Sequence, residues 1–179
     1  MRTLALLWQL LTGDPGEAVE AAAVLAGHPE LAEFLGVVAL LEGNGGNPGL
    51  HPGDAGLGPR MHAAALRVGW LSWWCPWHWN PAAGWSPRGP AGAAPANTAR
   101  HFGPLLGCLI PPAAHDLVPV AAIAAALHAN HCARVRGRTY RAMRLCWAGG
   151  HKDPEAVMAR FDAALVRYRR AHRPAPATR

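Results

Sequence analysis

The sequence predicts an all-α fold, a compact bundle of about six to seven helices interrupted by two long Gly/Pro-rich loops. Three observations carry that expectation. Apolar residues recur at helical spacing in several separate segments, and those segments open on Asp-Pro or Pro and close on Gly. No stretch alternates apolar and polar residues over the length of a strand. At 179 residues the chain can bury a sizeable core as one domain, and its alanine content predicts a core of small, close-packed side chains.

Residues 3–12 form the first helix, with Leu4, Leu7, Trp8 and Leu11 as its apolar stripe. Asp14-Pro15-Gly16-Glu17 starts a second, with Asp14 as N-cap and Pro15 at N1, and Gly27 ends it. Pro29 opens a third, on which Leu31, Phe34, Leu35, Val38 and Leu41 share a face. Residues 1–42 are thus an acidic three-helix segment. Residues 43–58 hold seven glycines and two prolines and read as a loop. A helix over 59–75 follows, ended by Pro76, and residues 76–97 form a Trp/Pro-rich loop. The segment 98–173 is basic and helical. Its main helix begins at Asp116 with Pro119 in the first turn, and the phase of its apolar face is lost after residue 133, so a break is expected near Gly137. A last helix opens at Asp153-Pro154 with Val157, Phe161, Ala164, Leu165 and Tyr168 in one stripe, and the tail 174–179 is disordered.

Charge is segregated along the chain. Residues 1–58 carry seven acids against Arg2, a net of −6, and residues 134–179 carry eleven arginines and Lys152 against three acids, a net of +9. Such a block calls for a polyanion, an acidic protein, or the chain's own acidic half. Leu117–Ala129 is broken by Pro119 and is too short to span a bilayer, so no membrane partner is expected. Leu4–Leu11 makes a poor signal peptide, and Cys75, Cys108, Cys132 and Cys146 form no CxxC pair. The chain is therefore expected in the cytoplasm with four free or buried thiols.

The densest feature is RVRGRTYRAMR, which places Arg134, Arg136, Arg138, Arg141 and Arg144 within eleven residues and no acid among them. On a helix from Arg138, Arg141 and Arg144 project together, opposite Ala142 and Cys146. Arg160, Arg167 and Arg170 line a polar side of the last helix. Guanidinium forks match phosphate oxygens bidentately, and release of counterions makes several such contacts favourable. Tyr140 and Trp147 are placed to stack on bases, and Trp77, Trp79 and Trp85 on the second loop to stack or to meet a protein. The competing reading pairs these arginines with the acidic N-terminal helices.

Two sharper constellations carry less. Cys75, His78, His128 and Cys132 offer two sulfurs and two nitrogens for zinc if their segments meet, although no metal is the expectation. The helix–Gly–helix over 120–148 has the order of a helix-turn-helix, with Thr139 as cap. Catalysis has little support: the two serines lie outside any GxSxG, and Lys152, the sole lysine, lies outside any phosphate-binding loop. The expectation is a non-enzymatic, cofactor-free, nucleic-acid-binding accessory subunit of a larger assembly, with other protein subunits as partners. Small subunits of CRISPR-type ribonucleoprotein complexes and phage or plasmid DNA-binding factors are of this class, though no motif here matches such a family. The alternative is a helical protein–protein adaptor whose basic half binds an acidic partner; the third is a zinc-stabilised helix-turn-helix regulator.

Overall fold

Helix signals of the kind above appear as helix caps at several boundaries and as an all-α fold among the described residues. A computed structural model describes residues 2–42, 57–67, 74, 75, 80, 109–149 and 153–172, and among these there is helix but no strand. The helices are α1 (Arg2–Thr12), α2 (Pro15–Leu25), α3 (Ala32–Glu42), α4 (Leu57–Arg67), α5 (Val118–Arg136), α6 (Tyr140–Trp147) and α7 (Pro154–Ala171). Short 3-10 turns at Pro29–Leu31 and Pro112–Asp116 lead into α3 and α5. Most of the expected loops at 43–58 and 76–97, the segment 98–108 and the tail 174–179 lie outside the described residues. So do His78, Trp77, Trp79 and Trp85.

Three caps hold as their residue types require. Asp14 Oδ1 accepts from the Glu17 amide at 2.8 Å, Thr139 Oγ1 from the Ala142 amide at 3.2 Å, and Asp153 Oδ1 from the Ala156 amide at 3.0 Å. Four starts differ from expectation: Pro29 opens a 3-10 turn and α3 itself starts at Ala32, α6 starts at Tyr140 rather than Arg138, and α4 and α5 are shifted as well. Helix α4 begins at Leu57, two residues before Pro59, because proline is tolerated throughout a first turn whose amides have no intrahelical acceptor. Asp116 closes a 3-10 turn, and α5 starts at Val118 with Pro119 second. The break at Gly137 is present: its φ of 98° lies in the left-handed region, where a side chain is strained, and α6 leaves at a new angle.

Helix α2 sits at the centre, packed against α1, α3 and α5, while α6 bridges α5 and α7, and α7 returns to α3. The acidic N-terminal helices and the basic C-terminal ones therefore share one core. Between α2 and α5 small side chains dominate: Ala18, Ala21, Ala22 and Ala23 of α2 and Ala122, Ala125, Ala126 and Ala129 of α5 are all buried in that core. Where α3, α6 and α7 meet, aromatics take over, with the Phe34 ring 5.6 Å from Phe161, 6.1 Å from Tyr140 and 6.1 Å from Trp147.

Gly36 is where α3 and α7 come closest. A Cβ there would fall onto the Tyr168 ring and 2.7 Å from Glu20 Oε1. Gly36→Ala is expected to destabilise the fold by about 1–3 kcal/mol, read as a lower midpoint in urea at unchanged slope. An unchanged midpoint would show that α7 can move away freely.

The expected free thiols are not found. Cys132 and Cys146 form a disulfide with Cα atoms 5.6 Å apart, tying α5 to α6 across the Gly137 turn, and Cys75 is disulfide-bonded as well. Sequence spacing hid this pair because fourteen residues separate the cysteines; the reversal of the chain at Gly137 is what brings them together.

Candidate functional site

The arginine cluster is divided by the fold. Arg144 turns inward and is 3% exposed, with Nη2 paired to Glu42 Oε1 at the end of α3. Arg141, on the outer side of α6, pairs with Glu155. The two do not project together, because α6 is clamped between α5 and α7 and position 144 falls on its inner face beside Met143. Arg138 lies 3.5 Å from Glu30. On α7, Arg169 makes a two-pronged contact with Glu33, Nε to Oε1 at 2.7 Å and Nη2 to Oε2 at 3.0 Å. Much of the basic block thus meets the chain's own acids.

Both tyrosines of the chain take part in this seam. Tyr140 donates to Glu33, and Tyr168 donates to Glu20 Oε1 at 2.7 Å. Burial, then the hydrogen bond to Glu33, pushes the Tyr140 phenol up to about 12. Tyr168 is raised by burial and then by Glu20. The hydrogen bond from Arg169 holds Glu33 below its usual range, whereas burial raises Glu20 against the Tyr168 hydrogen bond. A phenol whose pKa is raised on folding contributes stability fully present below its unfolded value near 10 and lost as pH climbs through the folded value. We expect tyrosinate absorbance to stay flat past pH ~10 and to appear with unfolding as pH approaches about 12. Free titration of both tyrosines near pH ~10 would refute the seam.

Glu20, Glu30, Glu33 and Glu42 of the acidic N-terminal segment are partners of the C-terminal half. Only the segregation of charge hinted at this. The expected stackers are engaged elsewhere: Tyr140 lies among Phe34 and Phe161, and Trp147 packs edge-on to Phe34 with its ring 4.8 Å from His128. The zinc constellation loses its thiolates, since Cys132 and Cys75 are both in disulfides, and Cys132 Sγ lies 4.0 Å from His128 Nε2 as a bonded sulfur. Among the described residues no group of three or more metal-ligating side chains converges. Thr139 does cap α6, yet Met143 and Arg144 of that helix are buried, unlike the open face of a recognition helix.

Two accessible surfaces stand out. Arg134 and Arg136 at the end of α5, and Arg160, Arg167 and Arg170 on α7, are exposed and make no ion pair among the described residues. Arg136 also lines a cleft of about 730 Å³ between α5 and α6, with His131, Val135 and Leu145. The second surface is apolar. Helix α1 packs inward through Leu10 and Leu6, and its sequence stripe faces solvent: Leu4 is 71%, Trp8 69%, Leu11 65% and Leu7 40% exposed. A helix with apolar residues on two sides has a choice of face, and the small-residue surfaces of α2 and α5 take the side bearing Leu10. Leu4, Leu7, Trp8 and Leu11 thus form a contiguous apolar stripe left in water. Compared with known protein families, curated proteins and solved structures, the chain matches none.

Proposed function

We propose that this chain is a non-catalytic helical interaction protein that docks a protein partner through the outward face of α1. The observation that carries the reading is the exposure of Leu4, Trp8 and Leu11 together, on a helix whose inner side is already packed. This keeps the adaptor reading of the sequence but moves its contact from the basic half, much of which is internally neutralised, to an apolar helix. Two features set the context. Among the described residues no helix is long and apolar enough to cross a membrane. The disulfides favour an oxidising compartment over the cytoplasm expected from the sequence.

The test is oxidative footprinting of Trp8, read by mass spectrometry, in native extract and in dilute purified protein. Protection of Trp8 in extract is expected; equal labelling in both overturns the reading.

A second reading is supported by Arg134, Arg136, Arg160, Arg167 and Arg170, which make no ion pair among the described residues. Arg160 and Arg167 lie two turns apart on α7 with Arg170 flanking them, an arrangement that suits the phosphates of a nucleic acid bound with little sequence preference. Binding to DNA or RNA at ~50 mM salt should weaken linearly in log salt, and replacing Arg160, Arg167 and Arg170 by glutamine should flatten the slope. Absence of binding at that salt removes it.

A further inference from the structure

We infer that the partner of α1 is α1 of a second copy of this chain, the two helices antiparallel about a two-fold axis between Leu7 and Trp8. The inference rests on the docking reading above and names its partner. At 100° per residue Leu4, Leu7, Trp8 and Leu11 fall within an arc of about 100°, so they form one ridge. Their positions are symmetric about the midpoint of residues 7 and 8. Antiparallel pairing therefore sets Leu4 opposite Leu11 of the other copy and Leu7 opposite Trp8, the self-complementarity a two-fold interface requires.

Charge selects the same arrangement. From Arg2 to Thr12 the sole charged residue is Arg2, so two stripes meet without like-charge contact. Asp14 and Glu17 follow at the far end, on the first turn of α2. In the antiparallel register Arg2 of one copy lies opposite Gly13 of the other, next to Asp14 and about one turn from Glu17. A parallel pair would bring Arg2 to Arg2 and acids to acids. The same acids argue against an anionic lipid surface, because an interfacial helix carries lysine and arginine beside its apolar face. One helix of eleven residues makes a contact smaller than the roughly 1,600 Å² of standard stable interfaces, so the dissociation constant is expected on the order of 10 µM.

The experiment is light scattering of the purified full-length, disulfide-intact protein from low micromolar to several hundred micromolar. The mass should rise from 19.0 kDa towards twice that value. Leu4→Glu and Leu11→Arg should each shift the midpoint at least tenfold higher in concentration. The double variant should restore it, because Glu at position 4 then faces Arg at position 11 of the other copy twice. Thermal melts verify folding, and Trp8→Gln replaces any variant that does not fold. A dimer insensitive to all three single variants overturns the inference, since it forms elsewhere; singles that weaken it with no rescue in the double overturn the antiparallel register. A monomer at every concentration also overturns it, including one that binds anionic vesicles. In that case protection of Trp8 in native extract still upholds docking to another protein, and its absence removes both.

Discussion

Glu42→Ala is expected to destabilise the protein by about 3 kcal/mol, the lower end of what breaking a buried ion pair costs. The reason lies on the other side of the pair. Arg144 is 3% exposed, and its Nε and Nη1 have no hydrogen-bond partner among the described residues, so Glu42 is the acceptor there that compensates the buried guanidinium. Removing the acid leaves a desolvated charge with nothing to answer it. The reverse substitution should behave differently. Arg144→Met removes the charge, keeps similar volume among apolar neighbours, and leaves Glu42, whose side chain is 30% exposed, to be hydrated by water. Its cost should be below ~1 kcal/mol, and a gain in stability is consistent with the two guanidinium nitrogens, Nε and Nη1, that find no acceptor among the described residues. Urea unfolding of the two single variants decides this. Equal costs, or a larger one for Arg144→Met, would mean the guanidinium is stabilised by more than Glu42.

Replacing Cys132 and Cys146 together by alanine is expected to cost about 3 kcal/mol, the loop-closure term for a bridge spanning fourteen residues. For a chain of 179 residues this corresponds to a melting temperature lower by roughly 6–12 °C. The double variant isolates this bridge, whereas a reductant also opens the one at Cys75. The elbow between α5 and α6 should be affected first, because the bridge closes it and Gly137, in its left-handed conformation, forms its corner. An unaltered melting temperature would leave the disulfide without a stabilising role.

The described helices were legible because each is specified locally. Asp14, Thr139 and Asp153 cap the helices they precede through their own side chains, and Gly137 breaks the chain because a left-handed residue is needed there. The stripe Val157, Phe161, Ala164, Tyr168 could be read as a buried face because the opposite side of α7 offers Val166 as an isolated large apolar residue and no competing stripe. The segregation of acids and arginines was equally plain, and with it the possibility that the two halves meet.

Which side of each ambiguous helix faces the core was not legible. Helix α1 has apolar residues on both sides, and periodicity marks Leu4, Leu7, Trp8 and Leu11 while packing buries Leu10. The choice depends on the combined surface of α2 and α5, and α5 lies more than a hundred residues from the side chains it helps to orient. The same holds for Arg144, whose inward turn follows from the clamp on α6 and whose acceptor lies 102 residues earlier. It holds again for Cys132 and Cys146. Sequence by itself determined the helices, their caps and the two opposed blocks of charge, because those depend on residues within one or two turns. Tertiary structure decided which charges are neutralised, which cysteines bond and which apolar stripe is left in water, because each of those outcomes is a contact between distant parts of the chain.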